Sequence, residues 1–598
     1  MLRSPASRYR PLRSYAAIGD GRTVALVADD GSIDWFCIPD LDSPSVFGAV
    51  LDSARGGRFE LQPEVPFEVE RGYIPDTNVL QTTFITDSGR VRVTDAMTLP
   101  SGLAPGRELV RRIEGIAGRV PLRWSVEPRF GYGSRAGRWK RRMGFPVAAA
   151  GRDAIAVCSS SAGTEECRDG RVAARFEATA GERAQIVLSA AHQEPLVFPP
   201  QREVDERLAR TITFWKEWAG ARTYTGPWRE AVIRSALALK LLVFAPSGAI
   251  TAAATTSLPE ELGGERNWDY RYTWVRDSAF TLDALVSLGC HTEAEAFFWW
   301  LMHASQLTHP RLQVLYRLGG GPSAPERTLA LDGYRGSKPV RVGNAAVGQA
   351  QLDVYGDLLQ TVWLYVCARR HLDRDIARRI SEIADLVCAI WRQPDSGIWE
   401  VRSEPVHFIH SKLMCWVALD RASKLARAGQ VPGRHLDVWE REARAIRAFI
   451  EARGWSEEKR SYVRAAGSTE LDASLLMAVL AGYDDPASPR LRATVHAIRT
   501  ELGNGPLLYR YSGEDGLSGS EGFFLTCSFW LVDALARLGN VEAAAETMEA
   551  LLAYANDVGL YSEEVEAGTG RFLGNLPQGL VHLALVNAAT SVAEQAGR

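Results

Sequence analysis

The eighteen residues from Gly263 to Phe280, GGERNWDYRYTWVRDSAF, hold two Trp, two Tyr, three Arg, two Asp and one Glu. Flat aromatic faces beside planar charged groups suit a polyhydroxylated ring: the aromatics cover its C–H faces, and Arg and Asp side chains meet its hydroxyls. Trp268, Tyr272 and Trp274 are candidates for those faces. The competing reading of the same residues is a staple of ion pairs and buried Trp that fastens a loop to a core.

Two further segments carry carboxylates. RQPDSGIWEVRSEPVHFIHSK presents Glu400 between Trp399 and Val401. An apolar, aromatic surround raises a carboxyl pKa by desolvation, which suits a general acid. NDVGLYSEEVEAGTGRFLGNLPQ presents Glu563, Glu564 and Glu566, and spacing alone does not choose among the three. Two carboxyls flanking a pit with aromatic walls are the equipment of glycoside hydrolysis. Taken singly, each is equally a solvated loop carboxylate.

Arg335, Arg341, Gln349, Asp353, Asp472, Tyr509, Arg510, Tyr511 and Glu521 are candidate hydroxyl binders or supports, or else structural ion pairs. His407, His410 and His582 are isolated and read as hydrogen-bonded rim residues, without the spacing of metal ligands. The LGGGPS stretch near Gly319 lacks the Lys and Thr of a phosphate-binding loop.

The elements that must position these residues fall into two halves. From about Thr23 to Pro199 the pattern is short alternating runs: TVALVA, SIDWFC, RFELQP, VLQTTFIT, RVRVTDAM, LVRRIEGI, LRWSVEP, AIAVCSS, RVAARFEA and RAQIVLSA. Turn residues separate them, so an antiparallel β-sandwich is expected. After Trp228 the period is helical, with about twelve amphipathic segments beginning near Arg229, Asp277, Thr292, Val354, Arg374, His410, His435, Asp472, Ser488, Gly522, Val541 and Leu580. The expected division is residues 1–202 as the β-sandwich, 203–228 as a helical linker and 229–598 as an all-helical domain.

Connections leaving the even-numbered helices are tiny, whereas those leaving the odd-numbered ones are long and rich in Gly, Trp, Tyr, Glu and Arg. Short links make antiparallel neighbours, so all the long loops share one end. Six such hairpins closed into a ring give an (α/α)6 barrel with a pit at that end, and twelve segments are the number a closed ring needs. An open solenoid is the alternative. In a ring with the even helices inside, the sixth and twelfth stand opposite each other, and Glu400 and the Glu563 cluster face across the pit. That separation leaves room for a water and points to inversion.

Composition narrows the class. The 598 residues exceed one ordinary core, and 46% hydrophobic with 24% charged residues is normal for a globular chain. A net charge of -3 gives no electrostatic case for nucleic acid or an anionic membrane. No uninterrupted apolar run reaches membrane-spanning length, and the basic opening MLRSPASRYRPLRSY has no signal-peptide core. The eight Cys are scattered without ligand spacing, as buried thiols in a reducing, cytoplasmic setting. Homo-oligomerisation is left open.

Six stretches occur in an order that resembles glycoside hydrolase family 15. They are SYAAIGDGRTVALVADDGSIDWFCIPDLDSPSVFG, TTSLPEELGGERNWDYRYTWVRDSAFTLDAL, YRGSKPVRVGNAA, GIWEVR, FLTCSFWLVDAL and SEEVEAGTGRFLGNLPQ. The resemblance covers nearly the whole chain and is to the prokaryotic two-domain type, which includes glucoamylases and trehalases. It implies a β-sandwich before the barrel and an inverting exo-hydrolase of α-glucosides that releases β-glucose from a small substrate. Trehalose is the leading substrate; isomaltose or malto-oligosaccharides come next, and a disaccharide phosphorylase is a more distant reading. Carried over by motif, Glu400 would be the general acid and Glu563 the general base. Arg276 and Asp277 would hold the hydroxyls of the non-reducing-end glucose, Trp399 would line the pocket, and Arg510 would sit near the adjoining subsite. No cofactor is implied. The chain departs from the usual family pattern after the base, with Leu576, Gly579, Leu580 and Val581 in GNLPQGLVH.

Overall fold

The computed structural model describes residues 9–99, 107–513, 515–517, 519 and 521–597. Its N-terminal part is built from two antiparallel sheets that share one strand, Arg107–Glu127. The first half of that strand pairs with Gly89–Thr98 and Arg183–His192. The second half pairs with Arg58–Pro63 and Arg171–Thr179. The expected runs LVRRIEGI and LRWSVEP are therefore two halves of one strand. Residues 116–119 at their junction are exposed, and Gly118 at φ 61 turns the chain from one sheet to the other.

The sequence reading also passed over strands at Tyr15–Gly19, Glu68–Tyr73, Arg138–Arg142 and Phe145–Ala150. Two of these are rich in Ala, and the others carry charges at consecutive positions, so none alternates cleanly. The core between the sheets contains a bidentate ion pair, Arg111 with Asp95, both side chains fully buried.

Among the described residues thirteen α-helices follow, numbered in chain order. Helix α1, Gln201–Gly220, leads from the sheets to the helical array. The array is α2 Arg229–Leu242, α3 Ser278–Ser287, α4 His291–Gln306, α5 Asp353–Cys367, α6 Arg374–Ile390, α7 Ile409–Arg427, α8 Leu436–Arg453, α9 Met477–Leu480, α10 Pro489–Glu501, α11 Leu525–Arg537, α12 Val541–Leu552 and α13 Gly579–Ala596. Helix α3 packs on α5, α5 on α7, α11 on α13, and α13 on α3. Between α7 and α11 stands the short piece made of a 3-10 turn, Ala473–Leu476, and the single turn of α9. These six close the inner ring, and α2, α4, α6, α8, α10 and α12 lie outside it.

The inner helices α11 and α13 are buried on nearly every face, with twelve and thirteen buried residues respectively. A helix enclosed on all sides reads this way, whereas α6 on the outside keeps a polar face. The segment expected as a full eighth helix is only eight residues of mixed 3-10 and α geometry, because the turn around Gly482 ends it.

The two parts are fastened at the pit end. The Trp35 indole N–H donates to Ala254 O at 2.8 Å. Arg271, fully buried, pairs with Asp269 at 2.7 Å, donates to Ser43 O at 2.7 Å and to the Tyr132 hydroxyl at 2.7 Å. The aromatic loop before α3 is thus held on its outer side by the sheet domain.

Candidate active site

The loop between α2 and α3 runs extended past the pit, and its side chains alternate in direction. Arg266, Trp268 and Tyr270 line a cavity at the loop-rich end of the barrel. Asn267, Asp269 and Arg271, one position out of step, are fully buried on the other side. Successive side chains of an extended chain point to opposite faces, so one segment serves as both pocket wall and structural staple. The loops before α7, α11 and α13 complete the cavity with Trp399, Glu400, Arg510, Tyr511 and Glu563 among its lining residues.

Glu400 sits at φ 58, a left-handed backbone position that a non-glycine residue occupies at a cost. Its Oε1 accepts from the Trp274 indole N–H at 2.6 Å and lies 3.5 Å from Arg276 Nη1. Gln349 donates to the Glu400 backbone carbonyl at 3.2 Å, fixing the loop from the α5 side. Burial raises the Glu400 pKa, against the lowering effects of Arg276 and of the Trp274 hydrogen bond. A carboxyl whose pKa burial raises, beside a cavity, is suited to donate a proton to a leaving oxygen.

Glu563 is 1% exposed. Gly574, at φ 71, lets the backbone pass against the carboxylate: a Cβ there would stand 2.5 Å from Glu563 Oε2. The Asn575 N–H donates to the same oxygen at 3.4 Å, and the Tyr270 hydroxyl hydrogen-bonds the carboxylate. Burial raises the Glu563 pKa first, and the like charge of Glu260 raises it further. The strand Glu564–Val565, paired with Phe523–Phe524 and Phe572–Leu573, sorts the three clustered Glu. Glu563 meets the cavity, Glu564 is buried 3.2 Å from Arg510, and Glu566 is turned outward to Arg571 and Thr569.

The remaining candidates divide. Arg276 donates to Asp277 Oδ1 at 2.8 Å. Asp277 stands at the N-cap of α3, yet its side chain makes no capping bond. Trp399 donates to Asp472 at 2.9 Å and lies near the rings of Phe524 and Trp530. The Arg510 guanidinium lies 5.8 Å from the Trp399 ring and is held by Glu260 and Glu521, each at 2.8 Å. The guanidiniums of Arg341 and Arg402 lie over the Trp268 ring at 4.5 and 4.9 Å.

Tyr272 and Trp274 are not walls of the cavity: both pack in a separate apolar cluster with Val314 and Leu315, and Tyr270 holds the cavity position. Arg335 lies beside Tyr334, away from the cavity. His410 and His582 are not rim residues. Both are buried inside helices, and desolvation pushes each down to about 3, so they are neutral. Leu580, one of the departures after the base, is a cavity-lining residue. Among the described residues no group of His, Cys, Asp and Glu is placed to hold a metal ion, and no helix is long and apolar enough to cross a membrane.

The sequence reading missed Tyr270 and Glu260 as site residues. Tyr270 stands in the aromatic stretch two positions from Tyr272, on the same side of an extended chain, so alternation alone does not separate the two. Glu260 sits in SLPEELGG, where neither spacing nor composition marks it.

Comparison with known proteins agrees with this fold. A profile described as glycosyl hydrolases family 15 matches residues 226–543, and one described as trehalase-like, N-terminal matches residues 6–190. The chain belongs to glycosyl hydrolases family 15. It is 39% identical to a trehalase of Mycolicibacterium smegmatis, over 99% of this chain and 92% of that one. It is 34% identical to a trehalase of Thermoplasma acidophilum, over 95% of this chain and 98% of that one. The fold matches a bacterial glucoamylase solved with acarbose at a TM-score of 0.75, with 14% identity over 99% of this chain and 96% of that one. The protein is an O-glycosyl hydrolase.

Proposed function

We propose that this enzyme hydrolyses α,α-trehalose with inversion, using Glu400 as general acid and Glu563 as general base. The observation that carries the assignment is the pair of desolvated carboxyls in one cavity, each with a different hydrogen-bonding environment. Full-length similarity to several trehalases supports the choice of disaccharide.

In this reading one glucose stacks against the aromatic wall and is held by Arg276 and Asp277. Trp268, Trp399 and Arg510 shape the walls and the adjoining subsite, and Trp274 holds Glu400 from behind. Glu400 gives its proton to the glycosidic oxygen as that bond breaks. Glu563 takes a proton from the water that attacks the anomeric carbon from the other face. No further group is needed, since two carboxyls and water balance the reaction. The division at residues 1–202, 203–228 and 229–598 and a cytoplasmic location belong to the same reading. Eight free cysteines support a reducing compartment.

The test is proton NMR of the anomeric signals during early turnover. Inversion of trehalose gives one β-glucose, from the attacked ring, and one α-glucose, from the leaving ring. Initial release of α-glucose alone would contradict inversion. Turnover of isomaltose or maltose but not trehalose would move the substrate to another α-glucoside, and glucose 1-phosphate formed only with added phosphate would make the chain a phosphorylase.

A further inference from the structure

Glu260 lies in the loop after α2, is 1% exposed, and lines the same cavity as Glu563. Its Oε2 accepts from Arg510 Nη2 at 2.8 Å, while its Oε1 is buried without any hydrogen-bond partner. The backbone around it is tied to the loop that packs the base. Gly574, where a Cβ would stand 2.5 Å from Glu563 Oε2, donates its N–H to Pro259 O at 2.7 Å. The Thr255 hydroxyl donates to Asn575 Oδ1 at 2.9 Å, and the Asn575 N–H reaches Glu563.

The charged groups around Glu260 come from three loops. Arg266 and Tyr270 belong to its own loop, Arg510, Asp515 and Glu521 to the loop before α11, and Glu563 and Glu564 to the loop before α13. Five carboxyls (Glu260, Asp515, Glu521, Glu563 and Glu564) thus face two guanidiniums, Arg266 and Arg510. Arg266 is taken by Asp515 and Glu521, which leaves Arg510 to be shared by Glu260, Glu521 and Glu564. Buried carboxyls in excess of their cations cannot all ionise together, and the protons they retain are shared.

We propose that Glu260 is a positioning residue for the reaction: clamped by Arg510 in the cavity that Glu563 also lines, with its other oxygen unbonded, it sets the pH at which Glu563 can accept a proton from water. The like charge of Glu260 is the largest cause after burial of the raised Glu563 pKa, and burial with Arg510 and Glu521 acts on Glu260 itself. Ionising Glu260 makes Glu563 a stronger base, at the cost of a higher pH before both are free of protons.

The inference rests on the hydrolase reading of the site. It is tested on the acid limb of kcat/KM for wild type, Glu260→Gln and Glu260→Asp, with whichever α-glucoside the wild type cleaves. Gln keeps an oxygen for Arg510 and removes the charge. The expected result is an acid limb displaced to lower pH by on the order of one unit in Glu260→Gln, while Glu260→Asp tracks the wild type. An unmoved limb in an active Glu260→Gln, or a loss of rate equal at every pH, overturns the proposal and leaves the hydrolase reading standing. A wild type inactive on every α-glucoside overturns both. Melting curves accompany the assays. Should Glu260→Gln not fold, the wild-type limb decides: two coupled carboxyls draw log(kcat/KM) out over two apparent steps, and a single step speaks against the coupling.

Discussion

Trp274 donates its indole N–H to Glu400 Oε1 at 2.6 Å, so a fully buried Trp holds the proposed acid by the oxygen that also faces Arg276. Trp274 therefore acts on the carboxyl's charge from behind the wall of the cavity. The bond favours the ionised form, in opposition to burial.

Trp274→Phe removes that hydrogen bond and keeps an aromatic ring. The lowering influence on Glu400 is lost, so its pKa rises further, and the basic limb of the kcat profile, which reports the protonated acid, moves to higher pH. A kcat profile across neutral and alkaline pH checks the direction, and a basic limb displaced to lower pH would count against the assignment of Glu400 as the acid.

Gly574→Ala places a methyl group 2.5 Å from Glu563 Oε2, at a backbone φ of 71 that an L side chain adopts reluctantly. Displacing a catalytic group by about 1 Å costs roughly 100-fold in rate. The variant is expected to lose kcat by about that factor with KM changed far less, measured by steady-state kinetics on trehalose.

Arg271→Ala leaves Asp269 as an uncompensated buried charge and cuts the ties to Ser43 and Tyr132. Breaking a buried pair from one side costs about 3–5 kcal/mol. Denaturant unfolding is expected to show that loss, with activity falling because the same loop carries Trp268 and Tyr270 into the cavity.

Asp353 opens α5 fully buried, with neither carboxyl oxygen hydrogen-bonded, and burial together with the like charge of Asp395 pushes it up to about 7. Its folded pKa lies above the unfolded value of about 3.9. The unfolded chain therefore loses this proton first, and stability falls as pH rises from about 4 to about 7. Asp353→Asn removes the titration, so its melting temperature is expected to exceed wild type by more at pH 8 than at pH 5. An equal difference at both pH values would show that Asp353 does not titrate in this range.

The order of the chain, sheets before helices, was legible because each half keeps one hydrophobic period over many residues. The twelve starting points near Arg229 through Leu580 correspond to α2 through α13, and the alternation of short and long links placed the rich loops at one end. Those are local properties, written in spacing and turn composition.

What tertiary structure alone decided is which way each side chain faces. Tyr270 and Tyr272 are equivalent in sequence, but one lines the cavity and the other packs behind it. Glu563, Glu564 and Glu566 separate only once their strand is registered between Phe523–Phe524 and Phe572–Leu573. Glu260 joins the site because Arg510, two hundred and fifty positions away, reaches its carboxylate. His410 and His582 look polar in the sequence and are enclosed in the barrel. Facing, pairing and desolvation depend on partners distant in the chain, and a single sequence records spacing without recording those partners.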